Sequence, residues 1–210
     1  MRRTIYVALV GLFSLAAPAG AQDSTGYIGK GFKVGMNVSG AASYDGQSST
    51  RTGYQIGAIL SYRQNRLFTL QMELLYISKG YEVINARTTD SDGNPLSVDY
   101  NAILNYLEMP IEGKITLPLT EKYIPFFLLG GFVGYSTDSR FQLSRGIPFV
   151  FEIPTANEVD AGVLAGIGLD MKAGSGLFYL ECRFEGSFTR AIKNENQKVQ
   201  LVSFSAGYWW

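Results

Sequence analysis

Hydrophobic and polar residues alternate one by one along most of this chain, and the alternation is clearest in the segment from Val199 to Trp210. A period of two places successive side chains on opposite faces of a β-strand. One face of the segment is apolar, and the other is small and polar apart from Trp209. The segment is therefore predicted to be a two-faced β-strand. Its apolar face consists of Val202, Phe204, Ala206, Tyr208 and Trp210.

Seven further segments show the same pattern, which predicts an all-β chain of eight strands. They are residues 32–39, 54–62, 68–76, 106–117, 124–135, 159–171 and 178–188. Most of them are close to the ~9–11 residues that a tilted strand needs to cross a bilayer. The fifth segment is apolar on both faces, so its pattern does not predict which of its side chains share a face.

The connections between these segments alternate in length, and this alternation predicts the topology. Short links join strands two to three, four to five and six to seven, at residues 63–66, 118–122 and 173–176. Longer polar stretches lie between them, at residues 42–52, 82–101, 137–158 and 189–197. Outer-membrane barrels have short periplasmic turns and longer outer loops. We therefore predict an eight-stranded antiparallel up-and-down transmembrane β-barrel with both chain ends on the periplasmic side.

The first 21 residues have the pattern of a cleaved secretory signal. Two arginines follow Met1, residues 5–17 are apolar, and residues 19–21 form an A-x-A site. We expect cleavage after Ala21, which leaves residues 22–210 as one barrel domain in the outer membrane. No later segment is apolar over the ~20 residues that a membrane-spanning helix needs, so the expected anchor is the barrel itself.

The composition argues against several classes of function. Without Arg2 and Arg3 the chain carries 16 basic and 18 acidic side chains, a balance that predicts no nucleic-acid partner. Cys182 is the only cysteine and histidine is absent, so there is neither a disulfide framework nor a transition-metal ligand set. Histidine is also the most frequent general base in enzymes. We therefore expect no catalytic residues, no metal and no cofactor.

The composition of the polar face indicates whether that face points into the lumen or outward to water. A soluble lipocalin-like barrel would show this face to water, and such a surface is rich in lysine and mixed charge. Here the face is mostly Gly, Ser, Thr, Asn and Gln, which suits the crowded interior of eight strands. Buried charges must be paired, so the few ions of this face are predicted to form one network in the lumen. Glu108 and Glu112 are expected to pair with Lys114 and Arg183. The whole predicted network is Lys33, Glu73, Glu108, Glu112, Lys114, Glu181, Arg183 and Glu185.

Aromatic residues near the strand ends indicate where the barrel meets the membrane surface. In the last strand, Phe204, Tyr208 and Trp210 are expected to face lipid. Trp209 is expected to point inward and to plug the periplasmic end of the lumen. Because an open edge would leave backbone groups unpaired in hydrocarbon, strand eight is expected to pair with strand one.

Several phrases of the sequence resemble a known family. They are KVGMNVSG at residues 33–40, LQMELLYISKGYE at 70–82, LNYLEMPIEGKI at 104–115, FFLLGGFVGY at 126–135 and GLFYLECRFEGSFT at 176–189. They resemble the outer-membrane β-barrel domain family that includes the PorT-like proteins of Bacteroidetes, over nearly all of the mature chain. The sequence departs from that family at Met72, where proline is frequent. The aromatic last strand resembles the signal read by the barrel assembly machinery. The resemblance implies a fold and a location rather than an activity.

The pattern favours a structural or interaction role through the outer loops. The lumen of an eight-stranded barrel is filled by side chains, which leaves no wide channel. Residues 137–158 are unusually apolar for an exposed loop, and exposed apolar patches mark partner surfaces. Phe149 and Phe151 are the candidate contacts. The expected partners are the outer-membrane lipid bilayer, the barrel assembly machinery during biogenesis and a protein at the outer loops. A narrow pore, a PorT-like role in secretion and a soluble ligand-binding barrel remain as alternatives.

Overall fold

The structure, a computed structural model, describes residues 26–42, 48–89, 95–120, 122–143, 150–152, 157–191 and 198–210. These residues form nine β-strands and no helix, and so none of them lies in a helix able to cross a membrane. The strands are β1 Tyr27–Ala42, β2 Ser48–Arg63, β3 Phe68–Thr89, β4 Pro95–Thr116, β5 Tyr123–Leu143, β6 Val150–Glu152, β7 Val159–Ala173, β8 Gly176–Ser187 and β9 Lys198–Trp209.

Eight of the nine strands close into an antiparallel barrel. Neighbours along the chain pair around the wall, β5 pairs with β7, and the pairing of β1 with β9 completes the circle. At this seam Gly31 lies opposite Trp209 and Ser39 lies opposite Leu201. Among the described residues, β6 pairs only with three residues of β5, so it lies outside the wall. The predicted up-and-down barrel of eight strands is confirmed, and so is the pairing of its first and last strands.

Apolar side chains cover the outside of the barrel and polar side chains fill the inside. On β1, Phe32 is 51% exposed and Met36 is 64% exposed, whereas Lys33 between them is fully buried. On β9, Phe204 is 63% exposed and the adjacent Ser203 is fully buried. This inverted arrangement is the one expected of a barrel that is surrounded by lipid.

The faces of β5, which the sequence pattern does not distinguish, are decided by its neighbour β7. Phe126 and Leu128 point inward, and Phe127 and Leu129 point outward. Phe126 lies opposite Gly168 of β7, where an added Cβ would lie within 2.2 Å of the phenyl ring. The aromatic ring therefore fits inside because its cross-strand neighbour has no side chain.

Tight turns lie at one end of the barrel, here called the turn end. Gly174, at the turn between β7 and β8, has a φ of +63°, which glycine adopts without strain. Between β2 and β3, the side-chain oxygen of Asn65 accepts hydrogen bonds of 2.8 Å from the backbone N–H groups of Leu67 and Phe68. The opposite end, which carries the longer connections, is here called the loop end.

The strands on one side of the barrel are much longer than those on the other. β3 and β4 have 22 residues each and β5 has 21, whereas β8 and β9 have 12. At ~3.4 Å per residue, the long strands project well beyond the short ones. The predicted loops at residues 42–52, 82–101 and 137–158 are wrong in part, because β2, β3, β4 and β5 extend into them. A strand beyond the membrane has no lipid-facing side, so its sequence loses the period of two.

The hairpin of β3 and β4 leans across the mouth of the barrel at the loop end. Ser39 of β1 donates a hydrogen bond to the Gly80 carbonyl and accepts one from the Gly80 N–H, each at 2.9 Å. Gly80 has a φ of +154°, and an added Cβ would lie 1.9 Å from the carbonyl oxygen of Ala102. The contact between β1 and β3 is made across β2, whose register with β3 shifts between Thr50 and Gln55.

Candidate functional site

The barrel interior holds three groups of paired charges, and the largest is here called the central network. It contains Lys33 of β1, Glu73 of β3, Glu112 of β4, and Glu181 and Arg183 of β8. Each of these residues is at most 5% exposed. They meet because each occupies an inward position of the alternating pattern on its strand.

Arg183 is the hub of the central network. Its guanidinium donates two hydrogen bonds of 3.0 Å to the Glu73 carboxylate, the paired geometry that suits arginine. Its Nη2 lies 3.0 Å from Glu112 Oε2, and its Nε lies 2.8 Å from Glu181 Oε1. Lys33 Nζ completes the network, at 2.9 Å from Glu73 Oε1 and 2.7 Å from Glu181 Oε1. Two cations thus hold three carboxylates from three strands.

Gln71 and Glu185 lie at the margin of this network. The side-chain amide of Gln71 donates to Glu73 Oε1 at 2.8 Å and to Glu112 Oε1 at 2.7 Å. Glu185 Oε1 lies 3.8 Å from Nη1 of Arg183, a longer contact than the others. The neutral amide bridges two carboxylates that would otherwise repel each other.

A second group, here called the loop-end ion group, is centred on Lys79 of β3. Its Nζ lies 2.9 Å from Glu108 Oε2 and 2.7 Å from Asp160 Oδ2. The same nitrogen lies 5.0 Å from the ring centroid of Tyr106 and 4.8 Å from that of Phe132. Lys79 therefore combines two charge pairs with cation–π contacts in a buried position.

A third group, here called the turn-end ion group, is the pair of Lys114 and Asp170. Lys114 Nζ lies 2.8 Å from Asp170 Oδ2. It also lies 3.8 Å from the ring centroid of Phe126 and 5.0 Å from that of Trp209. This group links β4 to β7 and places a cation against the aromatic ring of the closing strand.

An apolar cluster lies beside each of the two outer ion groups, at the corresponding end of the lumen. The turn-end seal consists of Ile59, Phe126, Leu128, Leu177, Tyr179 and Trp209. The loop-end seal consists of Ile77, Tyr81, Val83, Ala102, Leu104, Tyr106, Ala191, Val199 and Leu201. Along its axis the lumen is therefore apolar, then charged, then apolar again.

The structure places all eight residues of the predicted lumen network inside the barrel, but in three groups rather than one. The expected pairing of Lys114 with Glu108 or Glu112 is wrong. Lys114 reaches across β5, over the ring of Phe126, to Asp170. Glu112 points the same way from the same strand two residues earlier, which places it beside Lys114 rather than opposite it.

Three charged residues of the interior were missed by the sequence prediction: Lys79, Asp160 and Asp170. Both aspartates are buried, and they occupy polar positions of the predicted strand at residues 159–171, so the pattern marked their face but not their partners. Lys79 lies beyond the predicted end of the third strand. Only the longer β3 seen in the structure turns it inward.

The aromatic residues of the closing strand are divided between two faces. Trp209 is 7% exposed and lies in the turn-end seal, whereas Phe204 points outward. Tyr208 and Trp210 are half-buried, with their ring centroids 5.9 Å apart. The Tyr208 hydroxyl donates a hydrogen bond of 3.0 Å to the Ala173 carbonyl at the neighbouring turn.

The remaining two predicted site residues are the candidate contacts Phe149 and Phe151, in the connection between β5 and β7. Phe149 lies outside the described residues. Phe151 lies in β6, in register with Phe141 of β5. Their role in contacting a partner stays a prediction.

Most of the charged side chains in the interior are held in ion pairs. Among the described buried side chains, seven are acidic and four are basic. Six of the seven buried carboxylates lie within 3.0 Å of a cation, and Glu185 is the exception at 3.8 Å from Arg183, so most carboxylates are held in ion pairs rather than presented to a substrate. The part of the chain that the structure describes contains no group of three His, Cys, Asp or Glu placed to hold a metal ion.

A family model described as "Outer membrane protein beta-barrel domain" matches residues 20–195 of the chain. No curated protein matches the chain. Similar solved structures include OprG from Pseudomonas aeruginosa, with 11% identity, coverage of 90% of this chain and 98% of that chain, and a TM-score of 0.49. Another is Ail, the attachment invasion locus protein of Yersinia pestis, with 15% identity, coverage of 89% and 100%, and a TM-score of 0.46. Neisserial surface protein A has 13% identity, coverage of 86% and 95%, and a TM-score of 0.46.

Proposed function

The chain belongs to the outer membrane protein beta-barrel domain family, and from this premise we propose that it is a non-enzymatic membrane anchor that holds an interaction surface at its loop end. The observation that carries the proposal is a contrast within one barrel. The lumen is filled by paired charges and apolar seals, while three strands project beyond the wall on one side. A filled lumen supports an anchor, and projecting strands support contact with a partner.

The ion pairs make the filling of the lumen rigid. Arg183 and Lys79 each bind carboxylates from at least two other positions in the interior, so neither side chain is free to swing aside. Separating one partner of a buried ion pair costs about 3–5 kcal/mol. A water-filled path through the central network would require several such separations at once.

The projecting side is where a partner would bind. Loop ends of outer-membrane barrels are extracellular by the general rule, so β3, β4 and β5 would extend into the medium. Gln142 near the end of β5 is exposed. The apolar stretch at residues 137–158, with Phe149 and Phe151, supplies the side chains that we propose as contacts.

The closed lumen can be tested by electrical recording. The purified protein, reconstituted in a planar bilayer, is expected to show no steady conductance. Because the buried charges include seven acids and only four bases, the alternative of a narrow pore predicts steady, cation-selective channels. Such channels would overturn the proposal that the protein is an anchor with a closed lumen.

The interaction surface can be tested by photo-crosslinking in intact cells. A photoreactive amino acid at Gln142 is expected to capture a protein, and the same residue at Gln64, which is exposed at the turn end, serves as the matched control. Replacing Phe149 and Phe151 by Ser should remove the Gln142 crosslink while the barrel keeps its heat-modifiable gel mobility. Equal crosslinks from both positions, or crosslinks unchanged by the two substitutions, would refute a specific surface at the loop end.

The resemblance to PorT-like proteins of Bacteroidetes supports a narrower version of the proposal, in which the captured protein belongs to a secretion assembly. The identity of the protein crosslinked at Gln142 tests this version directly. Removal of residues 1–21 also belongs to the proposal, and the intact mass of the protein from outer membranes measures it. Retention of those residues would argue against secretion by a cleaved signal.

A further inference from the structure

The outer wall of the barrel carries a groove of ≈ 300 Å³ near the loop end. It crosses four adjacent strands, β2, β1, β9 and β8, next to the seam where the barrel closes. It opens on the outer wall, away from the projecting strands β3 to β5, and its floor includes Leu201 of the loop-end seal. Its lining residues are Val38, Gly40, Ala41, Thr50, Phe184, Gln200, Leu201 and Val202.

The groove exists because Gly40 has no side chain. An added Cβ at this position would meet only Thr50 Cγ2, at 3.4 Å, so the space in front of it is open. Around this gap stand Val38, Phe184 and Val202, which point outward and are 45%, 45% and 38% exposed. A glycine surrounded by three apolar side chains on a lipid-facing wall forms a slot for an apolar chain.

The outward positions of β9 change in character toward the loop end. Val202 is apolar, Gln200 carries an amide, and Lys198 carries a cation, while the intervening Val199 and Leu201 are buried in the interior. Along the membrane normal this order matches a membrane lipid, whose acyl chain is followed by ester or amide linkages and then by phosphate. The match of Lys198 with phosphate is a charge complementarity that a plain apolar groove would not have.

We propose that this groove binds one acyl chain of a phosphorylated lipid of the outer leaflet, with Lys198 pairing with its phosphate. The hydrophobic effect gives little preference here, because the chain leaves hydrocarbon for an equally apolar slot. Selectivity therefore rests on the shape left by Gly40 and on the polar contacts at the rim. The inference depends on the barrel being embedded in the membrane and not on the role proposed for the projecting strands.

The test is native mass spectrometry of the full-length protein in detergent with added lipid A, a phosphorylated and acylated disaccharide, or with its dephosphorylated form. The protein is expected to retain one lipid A molecule.

Gly40→Leu fills the slot and should reduce retention of both forms at least fivefold. Lys198→Gln should keep the slot but remove the preference for the phosphorylated form. Retention of phosphorylated lipid A should fall about fivefold, which corresponds to ~1 kcal/mol for one cation. Ala58→Leu, a small-to-large change on the outward face in the middle of β2, is the control and should bind as the unchanged protein does.

Three results would overturn the proposal: no retained lipid, equal retention by Gly40→Leu and Ala58→Leu, or competition of inorganic phosphate with lipid A. The last result would assign Lys198 to simple anion binding rather than to a lipid. Heat-modifiable gel mobility confirms that each variant is folded before it is compared. Conductance and crosslinking at Gln142 do not involve this groove, so failure here leaves the anchor proposal standing, and failure there leaves the lipid site standing.

Discussion

The two ends of the lumen are closed by similar side chains that come from different parts of the fold. The six residues of the turn-end seal come from four strands, β2, β5, β8 and β9, distributed around the wall. Of the nine residues of the loop-end seal, six come from β3 and β4 alone. The turn-end seal is therefore part of the barrel itself, whereas the loop-end seal is mainly one hairpin that leans into the mouth.

This difference has a mechanical consequence. A seal whose members are shared among four wall strands opens only when the wall comes apart. A seal supplied by one hairpin can loosen when that hairpin shifts, while the wall remains intact. Partner binding at the projecting strands would therefore act first on the loop end. Both seals flank the same central network, whose ion pairs link β1, β3, β4 and β8. Its loss should therefore destabilise both ends.

The largest effect is expected when the charge between the two seals is removed. Arg183→Met leaves Glu73 and Glu181 buried with Lys33 as their only paired cation, and it leaves Glu112 without its ion-pair partner. Breaking a buried pair in this way costs about 3–5 kcal/mol. Urea-induced unfolding in lipid vesicles should show this loss, and hydrogen exchange should show reduced protection at both ends together.

Two further variants make this expectation specific. Arg140→Met removes an arginine whose pair with Asp138 is 3.7 Å long and nearly half exposed, so it should change stability by less than ~1 kcal/mol. Adding Glu112→Gln to Arg183→Met removes the carboxylate left with no cation and should restore part of the loss. If the double variant is no more stable than Arg183→Met, charge pairing is not what holds the centre.

A smaller effect, confined to one end, is expected from Gly80→Ala. The new Cβ would lie 1.9 Å from the Ala102 carbonyl oxygen at a φ that alanine adopts only with strain, so the hairpin must move away. A loss of about 1–3 kcal/mol is expected. Hydrogen exchange should speed up at the loop ends of β3 and β4 and stay unchanged around Trp209.

The matched control is Gly134→Ala on β5, where the nearest side-chain atoms would be 3.5 Å from the new Cβ. It is expected to leave exchange rates at the loop end as they are. Equal acceleration at both ends in Gly80→Ala would mean that the loop-end seal is not an independent hairpin, and the contrast between the two ends would fail.

The same contrast explains how much could be predicted from the sequence. The turn-end residue Trp209 was predicted in the lumen because it sits on a strand whose alternation is unbroken. The eight-stranded topology followed from the same alternation and from the rhythm of short and long links. Within the membrane, each strand has lipid on one side and a crowded lumen on the other, so its side chains must alternate with a period of two. That alternation is what makes the strands and their inward faces predictable from the sequence.

The loop-end seal was not predicted, and the reason is physical. Beyond the membrane the outward face of β3 and β4 no longer meets lipid. Ile77, Lys79 and Tyr81 are buried there because the hairpin leans across the mouth of the barrel. No local pattern encodes that lean, which depends on Gly80 meeting Ser39 across β2. Ion partners were missed for a related reason. Alternation gives the face of a residue, but the partner of Lys114 is decided by reach across β5.

The smallest expected effect tests whether the turn-end seal extends to the protein surface. The Arg63 guanidinium lies 5.4 Å from the ring centroid of Trp209, the same ring that faces Lys114 from within. Arg63 is half-buried, so Arg63→Gln should cost about 0.5–1 kcal/mol and lower hydrogen-exchange protection in β9 only. Lys172→Gln, which removes an exposed cation at the same end, should cost less than Arg63→Gln. If the two variants behave alike, the outer cation adds nothing and the seal ends at the indole. If Arg63→Gln alone lowers protection, the Trp209 ring of the turn-end seal is stabilised by two cations, Lys114 from the lumen and Arg63 from the rim. The loop-end seal, supplied mainly by one hairpin, would then differ from it in this respect as well.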